Sequence, residues 1–248
     1  MLGTLRSLPG ILRSLRIYYG DRTRAAVMQR LYAEFVHEGD LVFDVGAHVG
    51  DRVRAFRRLG ARVIAVEPQP ALARTLRLLY GRDPMVVIEQ AAVGRSSGTI
   101  ELNINVENPT VSTASAEFIA AAADAPGWEG QRWSKRVATR MITLDEMVAA
   151  YGMPAFIKID VEGFEAEALA GLTRPPAALS FEFTLIQREV GHACIERCRE
   201  LGYTRFNAAL GESQKFEHAD WIDADAIARW LAALPIEANS GDIYARLA

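Results

Sequence analysis

The chain has 248 residues, of which 50% are hydrophobic and 24% charged, so it fits one large domain with a small extension and is not a disordered chain. Its formal net charge of −3 lacks the basic excess that nucleic-acid-binding proteins usually carry. No apolar run approaches the ~18 residues of a membrane span, and arginines interrupt the N-terminus where a signal peptide would be apolar. We therefore expect a cytoplasmic protein that does not bind nucleic acid.

Residues 1–38 predict an N-terminal helical extension that precedes a main domain of residues 39–248. Leucines recur there at near-helical spacing, Pro9-Gly10 interrupts them, and six arginines accompany one acid, Asp21, before residue 31. One interpretation is a helix that caps the main domain or forms a homodimer contact. The alternative is a basic amphipathic segment that lies on a membrane surface or touches an acidic partner. The residues concerned are Leu2, Leu5, Leu8, Leu12 and Leu15, and Arg6, Arg13, Arg16, Arg22, Arg24 and Arg30.

From residue 40 onwards, short apolar runs alternate with helical stretches. Strands that alternate with helices of about ten residues are typical of βαβ units, so the sequence predicts a doubly wound α/β fold with a mostly parallel sheet. The predicted strands are 41–45, 62–66, 85–90, 155–160, 178–183 and 203–207, with 243–247 as a terminal edge strand. The predicted helices are 50–59, 70–80, 144–151, 164–170, 190–201 and 223–233.

Two segments depart from this pattern. Residues 98–106 alternate in period two, which indicates a half-exposed strand or a hairpin. Residues 107–136 are the least regular part of the chain, and an insertion of this kind is often a lid or a substrate loop. Trp128 and Trp133 within it fit either a ligand platform or packing against the core.

The strongest local motif runs from Leu41 to Asp51, where an apolar strand ends in Asp44 and a glycine-rich turn leads into a helix. Gly46 and Gly50 let the backbone turn sharply and lie against a ligand. A second acid, Glu67, ends the next strand, where ribose hydroxyls would lie in a nucleotide-type fold.

The spacing of this motif separates it from a dinucleotide site. A dinucleotide site has close-set glycines that admit a pyrophosphate, whereas here Asp44 precedes the first glycine and Ala47 lies inside the turn. A carboxylate at that point repels a pyrophosphate and suits a cationic ligand such as S-adenosylmethionine. A nicotinamide-dependent oxidoreductase and a glycine-rich turn without a ligand remain as alternatives.

The chain resembles the FkbM family of S-adenosylmethionine-dependent methyltransferases over about residues 40–185. The resemblance implies a Rossmann-like class I methyltransferase domain with a seven-stranded sheet, S-adenosylmethionine as methyl donor, and a hydroxyl acceptor on a sugar, glycan, lipid or polyketide-type metabolite. The matching blocks are 43–50, 66–68, 91–94, 98–102, 143–145 and 157–165, with Leu169 and Gly171.

The same resemblance implies which residues bind the cofactor. Asp44, Gly46 and Gly50 would line the methionine end, and Glu67 would bind the ribose. The adenine would lie near Gln90, Ala91 and Ala92. The other expected cofactor-binding residues are Ala47, His48, Pro68 and Asp160. We expect His48 to be a solvent-facing turn residue without a catalytic role.

Acidic residues at neighbouring strand ends form the candidate catalytic group: Asp160, Glu162 and Glu182, with Lys158. Lys158 lies inside an apolar strand and needs a partner, for which Glu182 and Asp160 are the candidates. One interpretation of this group is a structural ion pair. The other is a catalytic site in which Asp160 or Glu162 positions or deprotonates the acceptor. Three carboxylates also suit a divalent metal, but the spacing alone does not support one, and we assign none. A methyltransferase-fold binding protein without activity is the alternative function.

Overall fold

The computed structural model describes residues 8–248, apart from the side chain of Arg22. Within this part of the chain, ten strands form one seven-stranded sheet and one three-stranded sheet. The strands are β1 (Leu41–Val45), β2 (Arg62–Val66), β3 (Val86–Glu89), β4 (Ala92–Val93), β5 (Gly98–Ile104), β6 (Lys135–Ile142), β7 (Phe156–Ile159), β8 (Ala178–Thr184), β9 (Arg205–Leu210) and β10 (Ser240–Arg246).

The large sheet has the strand order β3-β2-β1-β7-β8-β10-β9. The strands from β3 to β8 are parallel, and β10 is antiparallel to both of its neighbours. The predicted mostly parallel seven-stranded sheet is therefore confirmed. The prediction of an edge strand near the C-terminus is wrong, because β10 lies between β8 and β9. Its residues Ile243, Tyr244 and Ala245 are all fully buried, as suits a strand covered on both faces.

Helices cover both faces of this sheet, as the doubly wound pattern predicts. The helices are α1 (Leu8–Gly20), α2 (Arg22–Tyr32), α3 (Asp51–Arg58), α4 (Pro70–Tyr80), α5 (Ala116–Ala123), α6 (Leu144–Tyr151), α7 (Glu165–Ala170), α8 (Arg188–Glu200) and α9 (Ala224–Ala233). One face of the sheet packs against α2, α3 and α4, and the other against α6, α7, α8 and α9. Among the described residues, no helix has both the length and the apolar composition to cross a membrane.

The N-terminal helices pack directly on the main domain. In α2, Met28, Leu31 and Tyr32 are buried in the same cluster as β1 and β2. Within the described residues, α1 runs from Leu8 to Gly20 and includes both Pro9 and Gly10, and the predicted interruption concerns the join to residues 1–7, which lie outside the described residues. Proline is tolerated in a first turn, where its missing N–H has no helical partner. Leu2, Leu5 and Arg6 of the predicted stripe lie outside the described residues.

The small sheet has the order β4-β6-β5 and lies beyond the end of β3. The period-two pattern of residues 98–106 correctly indicated β5. Strand β6 was not predicted, because Lys135, Arg136 and Arg140 give it the composition of a polar loop. Those side chains are exposed, and within β6 only Thr139 and Ile142 are buried.

Candidate active site

A cavity of about 300 Å³ opens at the carboxyl ends of β1, β2, β7 and β8. The start of antiparallel β10 reaches the same edge, and residues 110–114 with Trp128 line the cavity from the irregular segment. In open α/β sheets, ligands bind at this edge, where the strand order reverses. Of the predicted site residues, those that line the cavity are Asp44, Gly46, Ala47, His48, Glu67, Pro68, Ala91, Ala92, Asp160, Glu162 and Glu182.

The turn after β1 needs glycine for two different reasons. Gly46 has φ +85°, and a Cβ on it would overlap the backbone carbonyl oxygen of Asp160. Gly50 also has φ +85°, but a Cβ there would crowd the side chains of Tyr80 and Leu76 on α4. Gly46 therefore permits close approach at the cavity, whereas Gly50 serves packing and does not line the cavity.

Asp44 ends β1 with its side chain almost wholly buried, at 1% exposure. Its Oδ2 atom is buried and has no hydrogen-bond partner among the described residues. Burial raises the pKa of Asp44 to about 7, although the Arg52 guanidinium opposes the shift. An unpartnered carboxylate oxygen at a cavity wall is a site that a cationic or hydrogen-bond-donating ligand would satisfy.

Glu67, at the end of β2, is held by the turn after β1. Its Oε2 accepts the backbone N–H of His48 at 2.9 Å, and its Oε1 accepts that of Gln69 at 2.8 Å. These bonds fix the carboxylate while leaving each oxygen able to accept a further bond. Burial raises the pKa of Glu67 to about 8, and the two backbone donors oppose that rise.

His48 does not face solvent, so that prediction is wrong. Its ring is partly buried against the ring of Tyr18 from α1, with a centroid separation of 5.5 Å, and its Nε2 lies 3.4 Å from Oγ1 of Thr110. Burial lowers the pKa of His48 to about 4, so the imidazole is neutral at pH 7. A helix that caps the main domain was one interpretation of residues 1–38, but no local pattern indicated that it would cover this turn.

Gln90 lies beside the cavity without lining it. Its Oε1 accepts a hydrogen bond from Arg77 on α4 at 3.1 Å. Ala91 and Ala92, which follow it, do line the cavity. The role of these residues near an adenine stays a prediction.

Lys158 lies behind the cavity wall at 1% exposure. Its Nζ donates to Oδ2 of Asp160 at 3.2 Å and to Oδ1 of Asp242 at 2.7 Å. Asp160 was a predicted partner; Glu182, the other candidate, forms no ion pair with Lys158. Burial alone would lower the pKa of Lys158, but the carboxylates of Asp160 and Asp242 raise it well above its ordinary value. Asp242 was missed because it lies on β10, which the sequence placed at an edge.

The acids Asp160, Glu162 and Glu182 come together as the sequence predicted. One carboxylate oxygen from each lies within 4.8 Å of the other two. Burial, followed by the charge of Asp160, raises the pKa values of Glu162 and Glu182 well above their ordinary range. Burial opposes ionisation of Asp160 as well, but Lys158 and Arg52 hold its pKa below the ordinary value.

A second charged cluster, which the sequence did not reveal, also reaches the cavity. Arg52 contacts Asp51 at 3.0 Å and Glu212 at 3.2 Å, and Arg24 from α2 contacts the same two acids at 3.2 Å and 2.8 Å. That Asp51 lines the cavity could have been inferred from its place beside Gly50 in the sequence. Glu212 comes from a distant turn after β9 and carried no local signal.

The two tryptophans of the irregular segment have different roles. Trp128 lines the cavity and packs edge-on against Phe118, with ring centroids 5.2 Å apart. Trp133 donates its indole N–H to the backbone oxygen of Val111 at 2.8 Å. Trp128 is therefore both a packing residue and a cavity wall, and Trp133 braces the loop above the cavity.

Comparison with known proteins identifies the family. The sequence model of the methyltransferase FkbM domain matches residues 44–234. The chain belongs to the FkbM methyltransferase family. The resemblance found in the sequence is thus confirmed, and the match extends past residue 185 to include α8, β9 and α9. No curated protein sequence matches this FkbM methyltransferase.

Solved structures similar to this FkbM methyltransferase include three at low identity. A precorrin-6y C5,15-methyltransferase from Geobacter metallireducens has 13% identity and a TM-score of 0.44, with 91% of this chain and 87% of that chain covered. A TehB-like SAM-dependent methyltransferase from Corynebacterium glutamicum has 12% identity, a TM-score of 0.45 and coverages of 90% and 88%. Fibrillarin from Aeropyrum pernix, crystallised with S-adenosyl-L-methionine, has 11% identity, a TM-score of 0.47 and coverages of 92% and 75%.

Proposed function

We propose that this FkbM-family protein transfers a methyl group from S-adenosylmethionine to a hydroxyl of a sugar, glycan, lipid or polyketide-type metabolite. The observation that carries the proposal is the unpartnered, buried Oδ2 of Asp44 at the wall of a cavity that Glu67 also lines. A carboxylate buried without a partner is costly, which indicates that a ligand completes the site.

The β1–β2 half of the cavity fits this cofactor. Asp44 with the turn residues Gly46 and Ala47 would hold the methionine end, where the ligand carries positive charge. Glu67, held by two backbone donors, can accept hydrogen bonds from both ribose hydroxyls. The apolar wall at 91–93 suits an adenine ring. When bound, S-adenosylmethionine supplies an electrophilic methyl group.

The β7–β8 half of the cavity fits an acceptor. Asp160, Glu162 and Glu182 offer oxygen atoms that accept hydrogen bonds from hydroxyl groups, and a carboxylate can also take the proton that a hydroxyl loses. Such general-base help typically contributes ~10²–10⁴ in rate. Holding the two reactants aligned contributes up to ~7–11 kcal/mol, so positioning by both halves of the cavity is the larger effect.

Calorimetry with S-adenosylhomocysteine, the stable demethylated product, tests the cofactor half. We expect binding to the wild type and its loss in Asp44→Ala and Glu67→Ala. Glu101→Ala is the matched control, because that carboxylate is exposed on β5, away from the cavity. Binding that survives in both cavity variants, or a wild type that binds NADH and not S-adenosylhomocysteine, would contradict the proposal.

Release of S-adenosylhomocysteine in the presence of candidate acceptors tests the hydroxyl assignment. Polyhydroxylated acceptors should support turnover, and their deoxy analogues at the methylated position should not. Turnover with amine acceptors alone would refute O-methylation while leaving the methyltransferase assignment intact.

A further inference from the structure

The acceptor half of the cavity gathers three carboxylates around one point. Asp160 and Glu162 follow β7, and Glu182 lies near the end of the adjacent strand β8. One oxygen from each of the three lies within 4.8 Å of the others, and all three residues line the cavity. Carboxylates at such separations repel one another strongly unless a cation or protons lie between them.

The described residues neutralise this cluster only in part, because Lys158 and Arg52 act on Asp160, and a side-chain hydrogen bond joins Asp160 to Glu182. Glu162 is 8% exposed and lines the cavity. Thr113 donates a hydrogen bond to its backbone oxygen, which leaves the carboxylate free to face the cavity. Oε2 of Glu182 is buried and has no partner in the described chain. Lys158 reaches Asp160 at 3.2 Å but is also bound to Asp242 at 2.7 Å, so its charge is already shared between two carboxylates.

The donor set indicates which ligand would satisfy these oxygens. All three groups are carboxylates, and the cluster contains neither histidine nor cysteine. Hard oxygen donors select Mg²⁺, Mn²⁺ or Ca²⁺, whereas zinc sites usually include nitrogen or sulfur. Three protein ligands leave coordination positions open, as in sites where a cation also contacts a substrate.

We propose that Asp160, Glu162 and Glu182 bind one divalent cation of the Mg²⁺ type in the acceptor half of the cavity. The role of this site rests on the proposed function, because the cation would bind the acceptor of the methyl group through a hydroxyl oxygen. Acceptors would then be limited to those that present an oxygen ligand beside the methyl donor. This revises the assignment of no metal that the sequence alone supported.

Electron paramagnetic resonance of Mn²⁺ added to the EDTA-treated full chain tests the site directly. We expect one Mn²⁺ bound per chain, displaced by excess Mg²⁺ or Ca²⁺. Glu162→Gln and Glu182→Gln keep the side-chain size, remove one charge each, and should each weaken Mn²⁺ binding more than about tenfold. Glu101→Gln is the matched control, since its carboxylate is exposed on β5 and pairs with Arg136, and it should leave Mn²⁺ binding unchanged.

A second measurement locates the ion without any substitution. Bound Mn²⁺ should broaden the amide NMR signals of residues 160–163 and 182–184 more than those of residues 37–40 and 200–204, which precede β1 and β9 at the opposite edge of the sheet. Absence of Mn²⁺ binding at millimolar concentration, wild-type affinity in both Gln variants, or broadening elsewhere would overturn the proposal. Mn²⁺ binding without S-adenosylhomocysteine binding would refute the cofactor assignment and leave the metal site standing.

Discussion

The backbone at Gly46 lies against the carbonyl oxygen of Asp160, so closely that a Cβ on Gly46 would overlap that oxygen. The contact joins the end of β1 to the end of β7, which are neighbours in the sheet. It therefore sets the spacing between the cofactor half of the cavity, at Asp44, and the acceptor half, at Glu162. Glycine is needed here both for its positive φ and for the absence of a side chain.

Gly46→Ala should lower the free energy of unfolding by about 2–5 kcal/mol. This loss is the sum of the cost of a left-handed backbone at a residue with a Cβ and the cost of the steric clash against Asp160. Urea unfolding followed by circular dichroism measures this change. The matched control is Gly39→Ala, because Gly39 has φ +87° with open space around a Cβ. That variant should lose only about 1–2 kcal/mol. Equal losses of unfolding free energy in the two variants would show that the contact with Asp160 does not affect stability.

The buried ion pair of Lys158 and Asp242 bridges β7 and β10 across β8. Lys158→Met keeps the length of the side chain and leaves Asp242 buried without a counter-charge, which should cost about 3–5 kcal/mol in urea unfolding. The double variant Lys158→Met/Asp242→Leu should recover much of that loss, because the buried Asp242 charge is gone, and Asp160, the other partner of Lys158, is 25% exposed and still lies near Arg52.

An ion pair on the protein surface serves as the control for the Lys158 and Asp242 variants. Arg136 and Glu101 lie 3.2 Å apart on β6 and β5, but both side chains are more than half exposed. Arg136→Met should therefore change the free energy of unfolding by less than about 1 kcal/mol. If Lys158→Met costs no more than Arg136→Met, the buried pair does not brace the sheet.

Cofactor binding should release a proton from Glu67. Burial raises the pKa of its carboxyl to about 8, so most of the free protein carries the proton at pH 7. The facing groups are the N–H donors of His48 and Gln69, which oppose the shift, and the carboxylates of Asp44 and Asp160, which support it. Ribose hydroxyls donate to the ionised form, so binding should lower this pKa, and affinity should rise with pH up to about 8.

Calorimetry of S-adenosylhomocysteine binding in buffers of different ionisation enthalpy measures the protons released. The wild type at pH 7 should release roughly one proton per site, and Glu67→Gln, which cannot ionise, should release clearly fewer. Identical proton release in the two proteins would mean that Glu67 does not meet the ribose.

The cofactor half of the site could be predicted from sequence because its parts are local. Asp44, Gly46 and Glu67 lie within one βαβ unit, whose handedness and strand adjacency follow general rules. Once β1 and β2 are recognised by their apolar runs, their carboxyl ends must meet at one edge. The observed register, with Val45 beside Val66, places the acids as the pattern required.

The remaining parts of the site depend on contacts that no local pattern encodes. Asp242 reaches Lys158 from 84 residues away because β10 inserts antiparallel between β8 and β9. Glu212 reaches Arg52 across 160 residues from a turn. A helical cap at the N-terminus was one interpretation of the sequence, but the turn that α1 covers could not be predicted, since a stripe of leucines specifies an apolar face without specifying its partner.

Tyr18 is the α1 residue that buries His48, so its removal should change how His48 titrates. Burial lowers the pKa of His48 from 6.5 to about 4; Arg52 adds to this, while Asp51, Asp160 and Glu212 oppose it. Tyr18→Ala opens the ring to water and should raise this pKa towards 6.5. NMR titration of the imidazole C–H signals measures the shift, with His48→Asn identifying the resonance. Leu12→Ala, on the exposed side of the same helix at 56% exposure, should leave the pKa unchanged.

The same burial makes His48 a source of acid sensitivity. Between pH 4 and 6.5 the unfolded chain binds a proton at His48 and the folded chain does not, so the free energy of unfolding should fall as pH falls through that window. Tyr18→Ala should flatten this dependence, because the folded and unfolded pKa values come closer together. If the pKa of His48 and the acid dependence of stability are the same with and without the Tyr18 ring, α1 does not shield the turn after β1 from solvent.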